Sequence, residues 1–263
     1  MSTSMRVLIV SVALTFASMQ ATLETASAAE SPAIHPAIQA AVDSTERLPQ
    51  DRARDANRHY AEIMEFFGVR PGQTVIELFA AGGNTAEILS RSVGPTGKVY
   101  MQNPQFWFER GGDKAVEERL ANNRLPNVVR LDKPLDDLGL EPNSLDGAVA
   151  FMVLHDFFWL SDDVPKVLAD LHKALKPGGW FGVVDHSAPA GTGNRDALDR
   201  DKGPHRIDEA YVKKLFTEAG FVLEESSDVL RNPADDRTKP FYDESFRGKS
   251  TDRFVLRFRK KAE

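Results

Sequence analysis

The chain has 263 residues, a formal net charge of -6 and 41% hydrophobic residues. Those values fit a soluble globular protein and allow one domain with a large core. The mild acidity, with no basic run, excludes a general binder of nucleic acid or anionic membranes. With no cysteine, disulfides, thiol nucleophiles and thiolate metal sites are excluded as well.

The first thirty residues differ in kind from the rest. Arg6 precedes an apolar run from Val7 to Met19, and Ala26-Ser27-Ala28 then supplies small residues. This order predicts a cleavable secretory signal peptide over 1–28, cut after Ala28 or Ala29. The apolar run is shorter than the roughly 20 residues that a membrane span needs. The mature protein is therefore expected to be exported, periplasmic or secreted, with no span left after cleavage. Residues 29–50 are expected to form a linker with a short helix over Ala37 to Val42. A stronger helix is predicted from Asp51 to Phe67, capped by Asp51 and stopped by Gly68 and the Pro71-Gly72 turn.

From residue 51 to the end, strand and helix patterns alternate. Thr74 to Phe79 is an apolar, branched run suited to a strand covered on both faces. A helix is predicted over Thr85 to Val93 and a second strand over Lys98 to Met101. Asp113 to Asn122 reads as helix, Asn127 to Leu131 and Leu145 to Val153 as strands, and Val164 to Leu175 as helix with Pro165 in its first turn. Lys176-Pro177-Gly178-Gly179 reads as a break before a fifth strand, Trp180 to Asp185. A helix over Ile207 to Ala219 and strands over Phe221 to Val229 and Asp252 to Arg259 complete the pattern. Such alternation predicts an α/β fold with a mostly parallel sheet and helices on both faces. Ligands of such sheets bind beyond the carboxyl ends of the strands.

Those ends carry two sets of candidate residues. The first is the loop after strand one, where Gly82 and Gly83 let backbone approach a ligand and the helix from Asn84 offers free N–H groups. This suits a carboxylate or a phosphate, and equally a tight turn with no ligand. Asn103 stands about 20 residues beyond Gly83, where an acid would hold a ribose in a dinucleotide site. The second set is three histidine pairs, His155 with Asp156, His186 with Asp185, and His205 with Arg206. Ends of adjacent strands lie about 4.8 Å apart, so these side chains can meet. Imidazole and carboxylate together suit Zn or Mn, or a general base oriented by an acid. Successive strand residues face opposite ways, so Asp185 and His186 are not expected to enter one pocket together. The aromatic runs Phe106-Trp107-Phe108 and Phe157-Phe158-Trp159 suit walls of a cleft for a flat or apolar ligand, or core filling.

The order Glu77-x-x-x-x-Gly82-Gly83, Gly97-Lys98-Val99-Tyr100, Leu145-Asp146, Leu175-Lys176-Pro177-Gly178-Gly179 and Glu218-Ala219-Gly220-Phe221 resembles class I S-adenosylmethionine-dependent methyltransferases. The likeness runs over roughly 51–259. More narrowly, the His-Asp, Asp-His and His-Arg pairs resemble an exported subgroup of predicted methyltransferases. The resemblance implies a Rossmann-like seven-stranded sheet with an antiparallel last strand, S-adenosylmethionine as cofactor and a small-molecule acceptor. It implies cofactor contacts from Glu77, Phe79, Ala81, Gly82 and Gly83, from Asn103 after strand two, and from Asp132 after strand three. His155, Asp156, His186 and His205 are then the candidate catalytic residues. Three positions depart from the family pattern. Phe79 and Ala81 stand where glycines are usual, and Asn103 replaces an acid, so Phe79 is expected to narrow the methionine pocket. The alternatives are a non-catalytic ligand-binding module on the same fold and a metal-assisted hydrolase using the His/Asp pairs.

Overall fold

A computed structural model describes residues 33–262, and the leader expected over 1–28 lies outside them. Seven strands form one sheet: β1 (Thr74–Leu78), β2 (Lys98–Asn103), β3 (Val128–Asp132), β4 (Leu145–Phe151), β5 (Leu175–His186), β6 (Val222–Ser227) and β7 (Arg253–Arg259). Their order is β3-β2-β1-β4-β5-β7-β6. Strands β1 to β5 pair in parallel, and β7 runs antiparallel between β5 and β6. This is the expected architecture, a seven-stranded methyltransferase sheet.

The central strands are apolar because both of their faces are covered. On one face, α1 (Pro36–Asp43), α3 (Tyr60–Phe67) and α4 (Asn84–Val93) supply Ile38, Met64, Phe67, Ile88 and Leu89 to a core with Val75, Val149 and Val255. On the other, α8 (Val164–Ala174) and α9 (Glu209–Glu218) supply Leu168, Leu171, Val212 and Phe216 against Ile76, Ala148, Phe181 and Leu256. Pro165 in the first turn of α8 removes one free N–H, and the Asp163 carboxylate accepts from the Lys166 N–H. The outer strands β3 and β6 are largely exposed. Charged residues stand on both, Arg130 and Asp132 on β3 and Glu224 and Glu225 on β6, and Glu224 pairs across the sheet with Arg257 and Arg259 of β7.

Three sequence expectations change. The helix expected over Asp51 to Phe67 is broken into α2 (Pro49–Arg52), a single 3₁₀ turn and α3, with His59 left-handed (φ 47°) before α3. Asp51 caps nothing there, because its carboxylate is paired with Arg119. The break expected at Lys176 to Gly179 is instead a bulge within β5. Leu175 still pairs with Leu145 and Trp180 with Gly147, while Gly178 takes the positive φ that the extra residues require. Finally, α1 packs on α3 and α4 with Ile38 fully buried, so the segment read as a linker is part of the domain from residue 33 onward.

The strand order reverses between β1 and β4, which grow outward from the centre in opposite directions. Their carboxyl ends splay their loops apart and leave room for a ligand. The loop after β1, the short helices α5 (Gln105–Glu109) after β2, α6 (Asp113–Leu120) beyond it and α7 (Phe157–Leu160) after β4 surround this opening.

Candidate active site

The loop after β1 is left-handed at three places: Phe79 (φ 46°), Ala81 (φ 49°) and Gly83 (φ 75°). Only the last is glycine. A Cβ at Gly83 would lie 2.8 Å from the flexible end of the Met101 side chain, which could shift, so it is the positive φ that favours glycine there. Phe79 and Ala81 adopt the same region at a cost of roughly 1–2 kcal/mol each. The strain is held by two neighbours at the end of β2. Gln102 Oε1 accepts from the Phe79 N–H at 2.7 Å, and its amide donates to the Lys133 carbonyl. Asn103 Oδ1 accepts from the Ala81 N–H at 2.7 Å, and its amide donates back to the Ala81 carbonyl at 3.0 Å. Both side chains are fully buried. Asn103, the residue expected to meet a ribose, therefore also holds the loop itself. Gln102 is a structural partner that strand periodicity alone did not reveal.

Arg119 braces the same loop from below. Its Nε donates to the Gly82 carbonyl at 2.8 Å, and its other nitrogens pair with Asp51 and Glu87, all three side chains being buried. Glu87 also takes Arg91 and Arg124, so its carboxyl lies below the usual range, the arginine hydrogen bonds outweighing the upward push of burial.

Between this loop and β4 lies a cavity of about 190 Å³ lined by Tyr60, Glu77, Ala81 to Thr85, Arg58 and Phe79. Glu77 is buried and its Oε2 has no hydrogen-bond partner among the described residues. Burial pushes its carboxyl up to about 8, against the pull of the Thr85 hydroxyl, the Ala86 N–H and the Arg119 charge. Such an acceptor is suited to a cationic ligand group. Asp132 lies farther out, on the exposed end of β3, where it pairs with Arg130 at 2.5 Å.

A second cavity, about 380 Å³, opens on the other side of Phe79. Phe106, Trp159, Phe241 and Tyr242 form its aromatic walls, and His155, Asp156 and His205 its polar floor. Phe106 and Trp159 meet edge to face at 4.8 Å, so the loops after β2 and β4 close on each other. One residue from each aromatic run, Phe106 and Trp159, walls the cleft, while Phe157 fills the core. Phe241 and Tyr242 were hidden in a polar segment between β6 and β7, and only the folded chain brings them over the histidines.

His155 and His205 converge on one cavity, with His186 beside them. Ring centroids of His155 and His205 are 5.4 Å apart, and those of His155 and His186 are 6.0 Å apart. His155 is held between two carboxylates, with Nδ1 2.7 Å from Asp185 and Nε2 3.2 Å from Asp156. Asp185 also accepts from the His155 backbone N–H. Burial alone would lower the His155 pKa, but the charges of Asp185 and Asp156 and the Asp185 hydrogen bond outweigh it and push the imidazole up to about 9. His205 Nδ1 is 3.5 Å from the same Asp156 oxygen, and its Nε2 lies 2.8 Å from the Arg200 carbonyl. Trp159 Nε1 donates to that Asp156 oxygen as well. His186 lies apart from this cluster. It bonds Thr251 at 2.6 Å and stacks under Phe241 at 4.8 Å, and burial followed by the charges of His155, Arg253, Arg206 and Arg58 drives its pKa well below the ordinary value. As alternation along β5 requires, Asp185 backs His155 while His186 borders a different cavity.

These shifts carry a sign. His155 is raised above its ordinary 6.5 toward about 9, so its contribution to stability is complete below about pH 6.5 and lost as pH rises through about 9. Glu77, neutral in the fold up to about 8 and ionised above about 4.5 when unfolded, loses stability over that lower window in the same direction. The melting temperature is therefore expected to fall from pH 6.5 to 9. Glu77→Gln and His155→Gln should each flatten the slope, and a wild-type profile that is level or rising over this range would contradict the assignment.

Residues 110–183 match the methyltransferase domain family. The chain is 28% identical over 127 residues to a 2-phytyl-1,4-naphtoquinone methyltransferase of Trichormus variabilis, covering 48% of this chain and 52% of that protein. It is 24% identical over 169 residues to the ubiquinone/menaquinone biosynthesis C-methyltransferase UbiE of Saccharophagus degradans, covering 64% and 61%. The chain thus spans only about half to three-fifths of the length of these relatives. Among solved structures, a SAM-dependent methyltransferase from Aquifex aeolicus superposes with a TM-score of 0.56 at 20% identity, over 76% of this chain and 88% of that one. The sheet order and the solved neighbour give this chain the fold of class I S-adenosylmethionine-dependent methyltransferases, and residues 110–183 carry the match to the methyltransferase domain family.

Proposed function

We propose that this protein transfers a methyl group from S-adenosylmethionine to a flat, hydroxylated aromatic small molecule. The carrying observation is the pair of cavities that meet at Phe79, one with a buried, unpartnered carboxylate and one walled by aromatic rings over an imidazole cluster. The residues present fit the amino-acid end of the cofactor. The orphaned Glu77 oxygen suits its ammonium group, and the loop from Ala81 to Gly83 allows close backbone approach. When bound, the cofactor supplies an electrophilic methyl on sulfur. Asn103 exchanges two hydrogen bonds with Ala81, which leaves one N–H and one lone pair of its amide for a ribose hydroxyl.

The acceptor side follows from the chemistry of the second cavity. The rings of Phe106, Trp159, Phe241 and Tyr242 suit a planar ligand. A positively charged His155, held by Asp185 at Nδ1 and by Asp156 at Nε2, offsets part of the negative charge that develops on a phenol oxygen as its proton departs. His205, whose Nδ1 faces the same floor, is placed to receive that proton. The naming of the relatives for naphthoquinone and ubiquinone or menaquinone chemistry supports an acceptor of quinol type. Phe79 must leave the boundary between the cavities for donor and acceptor to meet, which makes it the gate of the productive complex.

Transfer of labelled methyl from S-adenosylmethionine to a panel of quinols and catechols tests the reading, with His155→Gln expected to lose at least tenfold in kcat. If calorimetry detects no binding of S-adenosylmethionine or S-adenosylhomocysteine at millimolar concentration, the reading fails. One observation favours a different chemistry. Donor atoms of His155, Asp156 and His205 lie within 4.8 Å of one another, the composition of a metal site, and stoichiometric zinc or manganese in the purified protein would support metal-assisted hydrolysis instead. Export, which the leader pattern suggests, is tested by finding the processed chain outside the cytoplasm with its new N-terminus at residue 29 or 30.

A further inference from the structure

A third cavity, about 390 Å³, adjoins the aromatic one across Met152 and Phe241. Arg54, Arg58, Lys249 and Arg253 line it, and no carboxylate does. Among the described residues, none of these four side chains forms an ion pair. Arg58 and Arg253 each donate to the Met152 sulfur, at 3.6 and 3.8 Å, and Arg253 also donates to the Asn57 carbonyl. Arg253 is 5% exposed, and its Nε is buried without a partner.

The chain has acids to spare, with 39 Asp and Glu against 33 Lys and Arg. Its other deeply buried arginines are all matched. Arg47 pairs with Asp55, Arg119 with Asp51 and Glu87, and Arg206 with Asp235. An unmatched buried guanidinium beside a second one is costly, and here burial and the Arg58 charge hold the Arg253 pKa down to about 10. A bound oxyanion would supply both the missing charge and the missing acceptor, and guanidinium groups match carboxylate and phosphate oxygens well.

We propose that this cavity takes the carboxylate or phosphate of an anionic acceptor whose ring occupies the adjoining aromatic cavity. The inference rests on the methyl-transfer reading for the ring and on the four unpaired cations for the anion. It narrows the acceptor from any flat phenol to one that carries a negative group.

The test uses 4-hydroxybenzoate, its uncharged methyl ester and inorganic phosphate, titrated calorimetrically into the protein without cofactor at constant ionic strength. Wild-type protein should bind the acid at least tenfold more tightly than the ester, and phosphate should compete with the acid. That preference should fall below threefold in Arg253→Gln and in Arg58→Gln. Because Arg253 is buried, thermal melting checks its fold, and the exposed pair Arg54→Gln/Lys249→Gln, expected to weaken the acid at least threefold, keeps the test open if that variant unfolds. Equal binding of acid and ester, binding of neither the acid nor phosphate, or a preference that survives in folded variants overturns the proposal. So does an Arg253→Gln or Arg58→Gln protein that loses S-adenosylhomocysteine but keeps hydroxybenzoate, since the arginine would then serve the cofactor, whose cavity Arg54 and Arg58 also line. S-adenosylhomocysteine binding in wild type, measured separately, distinguishes failure here from failure of the methyl-transfer reading.

Discussion

Replacing Arg119 by alanine is expected to cost about 3–5 kcal/mol of folding stability, the range for breaking a buried ion pair from one side. Arg119 joins three elements that are far apart in sequence. It pairs with Asp51 of α2 and Glu87 of α4, and its Nε holds the Gly82 carbonyl. Glu87 keeps Arg91 and Arg124 when Arg119 is removed, so the damage concentrates on Asp51, which is 5% exposed and has no second cation beside it among the described ion pairs. The loop that fits the amino-acid end of the cofactor loses its brace in the same step. Affinity for S-adenosylhomocysteine is expected to fall at least tenfold in whatever fraction remains folded. Urea unfolding gives the first quantity and calorimetry the second. Adding Asp51→Asn to Arg119→Ala should recover part of the stability, because the buried unpaired charge is gone. A loss under 1 kcal/mol, or no recovery in the double variant, would show that the network does not hold the loop.

Phe79→Gly should have the opposite effect on ligand and fold. Glycine relieves the left-handed backbone at that position, a gain of roughly 1–2 kcal/mol. Losing a buried aromatic side chain costs about 3–5 kcal/mol, so a net loss of about 2 kcal/mol is expected. The ring is also the shared wall of the cavities of about 190 and 380 Å³. Its removal joins them, and affinity for S-adenosylhomocysteine is expected to rise at least tenfold even as the melting temperature drops. Unchanged affinity in a folded variant would mean that Phe79 is not the barrier, and that the gate assigned to it has to be abandoned.

The strands were legible because each buried one is a short branched run flanked by turn residues, and the histidines were legible because they sit where such strands end. What escaped were pairings between distant parts of the chain. The helix from Asp51 failed because Asp51 is claimed by an arginine 68 residues away. Asn103 read as a ribose contact from its position alone, and no local pattern announces that the same side chain bonds the Ala81 backbone across the sheet. The cationic cavity was invisible for the same reason. Its walls come from 53–58 and 249–253, and the Arg253 to Asn57 bond crosses 196 residues. Phe241 was lost among charged neighbours, where an aromatic side chain carries no periodic signal, and only the folded chain sets it against His155, His186 and His205.

Because β7 lies inside the sheet rather than at its rim, residues 253–259 complete a seam that everything before them leaves open. Until they arrive, one whole side of β5 presents bare amides and carbonyls, and β6 has nothing to pair with. A chain emerging from the ribosome therefore cannot finish this domain piece by piece. Closure waits for its late segment, and truncation within that strand would leave a sticky, β-competent border rather than a slightly smaller protein.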